Sequence, residues 1–165
     1  MLIKPHIKLK RITDITPELL AQMNIKALIL DVDNTMAIRR GSETVPGLFS
    51  WMEQMKSAGI GLIILSNAKP RRMSGFAGRV GLPFVALGMK PLPFGFFRAA
   101  ARLHCSTRQC AIVGDQLFTD MLGGHLAFCK TILLSPIELE TSAGFRLKRR
   151  AERWLLKRYH IECDF

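Results

Sequence analysis

Residues 26–35, KALILDVDNT, join an apolar run to two carboxylates that are one residue apart. The run is rich in Leu and Ile and is bounded by polar residues, which predicts a buried β-strand. Side chains two apart on an extended chain share a face, so Asp31 and Asp33 are expected to point at one spot beyond the strand. Mg²⁺ is the hard cation that relieves such charge repulsion while binding phosphate oxygens. The stretch therefore predicts a Mg²⁺-dependent phosphoryl site, although Asp and Asn are also common in plain turns.

Composition limits the class of protein. Of the 165 residues, 48% are hydrophobic and 22% charged, so we expect residues 1–165 to form a single globular domain. A formal net charge of +11 indicates an anionic partner, which is nucleic acid, an acidic lipid surface or a phosphorylated substrate. The four cysteines form no Cys-x-x-Cys pair, which disfavours a zinc site or a disulfide framework and favours a reducing compartment.

Neither a secretory signal nor a membrane span is expected. The N-terminal residues lack the long apolar core of a signal peptide. The apolar stretch 80–101 is interrupted by Lys90 and by three prolines, so each half fits an ordinary element better than a span. We therefore expect a cytoplasmic protein that is soluble or peripheral at the inner face of the membrane.

The periodicity of apolar residues predicts alternating strands and helices. After the first strand, strands are expected at 60–65, 83–87, 110–114 and 131–134, and helices at 17–24, 46–58, 70–80, 93–103, 118–127 and 145–159. Residues 1–12 are expected to be extended, and residues 34–45 to form a loop or small hairpin. This alternation predicts an α/β fold, a three-layer sandwich with a parallel sheet between helices.

Four of the predicted strands end in, or lead into, polar residues, and ligands of such sheets bind at the carboxyl ends of the strands. Beyond Asp31 and Asp33, the residues are Ser66 and Asn67 after the second strand, Lys90 after the third, and Asp115 with Asp120 after the fourth. Each alone has an ordinary explanation as a turn, a surface lysine or a helix cap. Their order and shared placement together indicate one site.

Taken in order, the segment 31–35, Ser66, Lys90-Pro91 and the run 114–120, GDQLFTD, resemble the four motifs of the haloacid-dehalogenase (HAD) superfamily of phosphohydrolases. The last run and Glu152-Arg153 are similar to the YqeG group of type IIIA HAD phosphatases, which in turn resembles the mitochondrial phosphatidylglycerophosphate phosphatases. The resemblance covers about residues 10 to 155 and implies a Rossmann-like HAD core. The sequence departs from the group at Ala68, where a second Asn is common, and at His125, where Asn is expected.

The resemblance also implies roles for the catalytic residues. Asp31 would be the nucleophile that forms an aspartyl-phosphate, and Asp33 would protonate the leaving oxygen and then activate water. Ser66, and with it Asn67, would bind the phosphoryl group, and Lys90 would orient Asp31 and neutralise developing charge.

The implied cofactor is Mg²⁺, held by carboxylate and carbonyl oxygens. Its implied ligands are Asp31, the backbone carbonyl of Asp33, Asp115 and, directly or through a neighbour, Asp120. Many HAD enzymes carry a cap domain inserted after the first or the second motif, but the segments 34–65 and 67–89 have no room for one. The site is therefore expected to be open, which suits a large or surface-bound substrate.

The final predicted helix, 145–159, is basic and amphipathic. Its pattern places an apolar side at Leu147, Ala151, Trp154, Leu155 and Tyr159, and a basic side at Arg146, Arg149, Arg150, Arg153 and Lys157. The helix either packs on the sheet with a solvated basic face or binds anionic membrane or RNA.

The sequence thus favours a Mg²⁺-dependent phosphomonoesterase. By resemblance, its substrate is phosphatidylglycerophosphate or another large or surface-bound phosphate, which makes an anionic phospholipid a partner. One alternative is a phosphatase of a soluble nucleotide, sugar phosphate or phosphoprotein. Another is a non-enzymatic RNA- or ribosome-binding module on a HAD scaffold, which is disfavoured because every catalytic position is filled.

Overall fold

The computed structural model of the protein describes residues 3–38, 42–138 and 143–158, with the backbone alone for 143–149. The strands are β1 (Ile7–Leu9), β2 (Ala27–Leu30), β3 (Ala37–Ile38), β4 (Glu43–Thr44), β5 (Gly61–Leu65), β6 (Phe84–Val85), β7 (Cys110–Gly114) and β8 (Lys130–Leu134). The helices are α1 (Pro17–Gln22), α2 (Leu48–Ser57), α3 (Pro70–Val80), α4 (Phe94–Arg102), α5 (Leu122–Leu126) and α6 (Ala143–Arg158). A π-helical turn, Leu117–Met121, precedes α5.

Six strands form one parallel sheet in the order β1-β8-β7-β2-β5-β6. Helices cover both of its faces, which confirms the predicted α/β, Rossmann-like class. The segment expected only to be extended supplies the edge strand β1, where Ile7 lies opposite Ile132 of β8. β2 lies between β7 and β5, so the residues that follow β2 emerge in the middle of the carboxyl edge.

The apolar run that ends at Leu30 is buried on both faces of the sheet. Leu28 and Leu30 pack in a core with α1, α2 and α3, whereas Ala27 and Ile29 pack in a second core with α4 and α6. Burying an Ile or Leu side chain contributes about 1.5–3 kcal/mol, so the two cores hold β2 firmly in the centre. The functional residues beyond β2 are therefore attached to a strand that is buried along its whole length.

The helices begin and end largely where local chemistry predicts. Thr16 caps α1 by accepting a hydrogen bond from the Leu19 amide at 3.3 Å. The predicted stripe of α2 is confirmed, because its members are all buried: Leu48, Trp51, Met52 and Met55. The indole of Trp51 also donates to the carbonyl of Ile15 at 2.9 Å, which fixes α2 to the segment before α1.

The chain departs from the predicted elements near the carboxyl edge of the sheet. The third predicted strand is shorter than expected, because Leu87 has a positive φ of 49° and turns the chain towards Lys90. The predicted helix 118–127 is divided between the π-helical turn and α5. The predicted hairpin is present, with Ala37 of β3 opposite Thr44 of β4. Apart from residues 39–41, this β3–β4 hairpin and α2 occupy the connection between β2 and β5.

The predicted apolar side of α6 is correct at Leu155, which packs against the second core, and wrong at Ala151 and Trp154, which are exposed. Trp154 is 64% exposed, whereas Glu152 and Leu156 are buried. Glu152 faces inwards because its Oε1 accepts a hydrogen bond from the Leu117 amide at 3.0 Å. Three of the predicted basic residues are exposed, namely Arg150, Arg153 and Lys157. The side chains of Arg146, Leu147 and Arg149, and all of Tyr159, lie outside the described residues.

Among the helices of residues 3–38, 42–138 and 143–158, none combines the length and apolarity needed to cross a membrane.

Candidate active site

Three buried carboxylates meet at the carboxyl edge of the sheet. Asp31 follows β2, Asp115 follows the neighbouring β7, and Asp120 lies on the π-helical turn. One oxygen from each carboxylate lies within 4.8 Å of the others. Because the ends of neighbouring parallel strands meet at one edge, residues 84 positions apart along the chain become neighbours.

Asp120 reaches this cluster because Gly114 has no side chain. A Cβ at position 114 would overlap the Asp120 carboxylate, so the close approach requires glycine there. The Gln116 amide donates to Asp120 Oδ2 at 3.2 Å, and the next amide, that of Leu117, donates to Glu152. Thus Glu152 of α6 braces the turn that carries Asp120. The resemblance of the motifs already includes Glu152, but the sequence pattern did not predict that its carboxylate accepts from the Leu117 amide.

Lys90 joins two members of the cluster. Its Nζ donates to Asp31 Oδ1 at 2.5 Å and to Asp120 Oδ1 at 2.7 Å. The side-chain amide of Asn67 holds the Lys90 backbone, accepting from its N–H at 2.7 Å and donating to its carbonyl at 3.0 Å. Asn67 therefore positions Lys90 across the sheet edge. A direct contact of Asn67 with phosphate stays a prediction.

The ionisation of Asp31 and Lys90 reflects this crowding. Burial raises the pKa of Asp31 to about 7, attraction by Lys90 opposes that rise, and repulsion by Asp120 and Asp115 adds to it. Burial alone would lower the pKa of Lys90, but attraction by Asp120 and then Asp31 raises it above its ordinary value. Lys90 is thus the cation that contacts both Asp31 and Asp120 in this acidic cluster.

Asp33 has a different environment from Asp31. Its side chain is 35% exposed, and Oδ1 accepts a hydrogen bond from Arg72 of α3 at 2.6 Å. The two carboxylates thus have different partners, Lys90 for Asp31 and Arg72 for Asp33. The reason is that β2 ends at Leu30 and the chain then turns around the carbonyl of Val32, which accepts from the amides of Met36 and Ala37.

Ser66 lies at the end of β5 and is 5% exposed. Its Oγ accepts a hydrogen bond from the Ala68 amide at 3.1 Å, which leaves the hydroxyl proton able to donate. This contact uses only the backbone of Ala68, so it does not depend on the side chain at a position where related sequences commonly have Asn. His125 lies elsewhere: its Nε2 is 2.7 Å from the Lys4 carbonyl oxygen, and its ring stacks on His6.

Comparison with known proteins places this site in a family. The family model described as Mitochondrial PGP phosphatase matches residues 1–73, and the HAD-hydrolase-like model matches residues 88–135. Over 97% of its length the chain is 39% identical to the probable phosphatase YqeG of Bacillus subtilis, of which it covers 95%. The chain belongs to the YqeG family of HAD phosphatases. The resemblance seen in the motifs is thereby confirmed, and so is the expectation that the protein is a phosphatase.

Two further proteins set this YqeG-family phosphatase in context. It is 24% identical, over 94% of its length, to phosphatidylglycerophosphate phosphatase 1, chloroplastic/mitochondrial, of Arabidopsis thaliana, and spans 47% of that plant protein. Its fold matches the 4-nitrophenylphosphatase of Thermotoga maritima with a TM-score of 0.60 at 13% identity, covering 77% of this chain and 91% of that one. The second likeness shows a shared fold.

We expect Glu152→Ala to destabilise the protein by about 2 kcal/mol, because the buried Leu117 amide loses its charged acceptor. For a chain of this size the melting temperature should fall by roughly 4–8 °C. Glu53→Ala is the matched control, since Glu53 forms only an exposed pair with Lys56 and should change stability by less than about 0.5 kcal/mol. Thermal unfolding gives the melting temperatures of both variants. Equal melting temperatures for Glu152→Ala and Glu53→Ala would show that Glu152 does not stabilise the turn.

Proposed function

We propose that this phosphatase hydrolyses a phosphomonoester through an aspartyl-phosphate formed on Asp31, with Mg²⁺ bound at the three-carboxylate cluster. The observation that carries the proposal is the position of Lys90, which bridges Asp31 and Asp120 inside that cluster. The donor set fits Mg²⁺, because carboxylate oxygens are its preferred protein ligands and three buried ones meet here. Asp31, Asp115 and Asp120, with the Asp33 carbonyl, would hold the ion.

The chain's own residues account for both chemical steps. A carboxylate oxygen of Asp31 attacks phosphorus, the bond from phosphorus to the alcohol oxygen breaks, and Asp33 gives that oxygen a proton. Asp33 then takes a proton from water, whose oxygen attacks phosphorus and breaks the bond to Asp31, releasing phosphate. The partial exposure of Asp33 lets its carboxylate meet both the substrate and water.

Other groups prepare these steps. Lys90 holds the Asp31 carboxylate in one orientation and balances charge on the transferred group, and Ser66 donates its hydroxyl proton to a phosphoryl oxygen. When bound, Mg²⁺ supplies positive charge to the phosphoryl oxygens. The pair between Asp33 and Arg72 keeps the carboxylate close to the site before substrate arrives.

We propose phosphatidylglycerophosphate as the substrate. The similarity to the plant phosphatidylglycerophosphate phosphatase and the match of residues 1–73 to the PGP phosphatase model support this choice. The net charge of +11 suits an anionic lipid. A panel of phosphatidylglycerophosphate in mixed micelles, glycerol 3-phosphate, nucleotides, sugar phosphates and phosphopeptides, assayed with Mg²⁺, tests it by comparing kcat/KM. Preference for a soluble nucleotide, sugar phosphate or phosphopeptide would favour a phosphatase of soluble substrates. RNA binding without hydrolysis would favour a non-enzymatic RNA-binding module on a HAD scaffold.

A lipid substrate requires contact with a membrane surface, and we propose that the segment around Lys90 provides it. Five large apolar side chains are exposed there: Leu87, Met89, Leu92, Phe94 and Phe97. They flank a catalytic residue, and the exposed cations Arg150, Arg153 and Lys157 lie on α6, which packs in the same core as α4. Apolar insertion combined with basic residues is the usual basis of reversible binding to anionic bilayers.

Replacing both Phe94 and Phe97 with Gln should weaken binding to vesicles of phosphatidylglycerol about tenfold, because two exposed rings lose contact with the bilayer. Wild-type binding should also weaken as salt rises. Co-sedimentation measures both effects. Phe49→Gln is the control, since Phe49 is similarly exposed but lies on α2, across the sheet from α4. Equal loss in the control, or equal wild-type binding to neutral and anionic vesicles, would contradict this membrane contact.

A further inference from the structure

A cleft of about 470 Å³ runs along α3 and is also lined by Ser42, which precedes β4. Val32, which separates the two catalytic carboxylates in sequence, lines one end. Arg72 and Arg79 of α3 also line it, and the buried Phe76 lies between them. The cleft therefore adjoins the catalytic loop at Val32 and Arg72 and continues to a second arginine, Arg79.

The two arginines have different places along this cleft. Arg72 is anchored at the catalytic end by its 2.6 Å contact with Asp33. Arg79 is seven residues further along α3, two helical turns away on the same face, which places it ~10 Å further along the helix axis. Its guanidinium carbon lies 5.5 Å from the centroid of the Phe76 ring, so the charged group rests over the cleft wall.

We propose that this cleft is a subsite for a second phosphate group of the substrate, and that Arg79 recognises it. The ligand class is a phosphomonoester joined through a short alcohol to a phosphodiester. The guanidinium group suits this role because its planar set of donors matches two phosphate oxygens at once. The inference rests on the proposed phosphomonoesterase function and adds the residue that selects substrates with a second phosphate.

A pair of soluble probes separates this charge recognition from any membrane effect. Glycerophosphoglycerol phosphate, the deacylated headgroup, carries a phosphomonoester and a phosphodiester, whereas glycerol 3-phosphate carries only the phosphomonoester. We expect Arg79→Gln to lower the ratio of kcat/KM for the headgroup over that for glycerol 3-phosphate about tenfold. Arg71→Gln is the matched control, because Arg71 is exposed on the same helix but does not line the cleft, and it should leave the ratio within about twofold.

Position 75 offers an independent test that leaves both arginines in place. Gly75 lines the cleft three residues after Arg72 and four before Arg79, and a Cβ there would meet open space. Gly75→Glu should place a carboxylate beside both guanidinium groups and reduce the same ratio about tenfold. Gly75→Gln adds a side chain of equal size without the charge, so it should change the ratio much less.

The outcomes distinguish this inference from the proposed function. Unchanged ratios in both Arg79→Gln and Gly75→Glu, or an equal loss in Arg71→Gln, would overturn the subsite while leaving the phosphatase chemistry intact. If the wild-type protein hydrolyses neither probe, the proposed function fails. Calorimetric titration of the headgroup into wild type and Arg79→Gln then tests the subsite without any need for turnover. We expect about tenfold weaker binding to the variant, and equal binding to both proteins would overturn the subsite.

Discussion

Asp31→Asn should lower kcat for phosphomonoester hydrolysis by at least about a thousandfold, because an amide cannot act as the nucleophile. The substitution keeps the size of the side chain at the buried end of β2, so the fold should remain intact. Lys90 also keeps its 2.7 Å contact with Asp120, so no buried ammonium group is left without a carboxylate. Hydrolysis of an aryl phosphate, followed together with circular dichroism, measures activity and folding on the same samples.

The matched control is Asp14→Asn, which removes a carboxylate that pairs with Arg11 on the surface. This variant should keep the wild-type turnover, because Asp14 lies before α1 and outside the carboxylate cluster. A folded Asp31→Asn protein with near wild-type turnover would show that Asp31 is not the nucleophile. Rapid quenching of the wild-type enzyme with a labelled substrate should trap phosphate on the protein, and the variant should trap none.

The same variant tests the charge balance of the cluster. Burial raises the pKa of Asp31 from 3.8 to about 7, so the folded protein without a metal binds more protons than the unfolded chain. This contribution therefore makes the protein lose stability as pH rises from about 4 to about 7. Asp31→Asn should remove that loss. Melting temperatures of the two proteins at pH 5 and pH 8 in EDTA measure it, and an identical pH dependence would contradict the raised pKa.

Removal of the metal should abolish activity as completely as removal of the nucleophile. We expect excess EDTA to reduce hydrolysis at least about a thousandfold, and added Mg²⁺ to restore it, since three carboxylates without the ion would repel the negatively charged phosphate. Asp115→Asn should raise the Mg²⁺ concentration needed for half-maximal activity more than about tenfold, because one of the proposed ligands, a buried carboxylate, is lost. A Mg²⁺ titration of kcat measures both effects.

Glu53→Gln serves as the control for Asp115→Asn, because it removes an exposed carboxylate outside the site and should leave the Mg²⁺ dependence unchanged. Binding also has a readout apart from turnover. Mg²⁺ should raise the melting temperature of the wild type at pH 8 and do so much less in Asp115→Asn, since the proposed binding site exists only in the folded protein. Full activity in excess EDTA would rule out the metal-dependent mechanism.

The sequence by itself determined the parallel α/β class and the strands at the centre of the sheet. Apolar runs that end in polar residues identify β2, β5 and β7, because a strand buried on both faces must be apolar until it leaves the core. Parallel strands bring their carboxyl ends to one edge, so Asp31 and Asp115 could be placed together without coordinates. Both inferences depend on local pattern and on a general rule of α/β folds.

Only the tertiary structure decided how the side chains are partnered. Asn67 holds Lys90, Arg72 pairs with Asp33, and Glu152 accepts from Leu117 across separations of 23, 39 and 35 residues. Local sequence does not encode such contacts, because each depends on where two packed elements place their side chains. The inward turn of Glu152 shows the consequence: helical periodicity placed Trp154 in the core, but a buried amide at the active site needed the carboxylate instead.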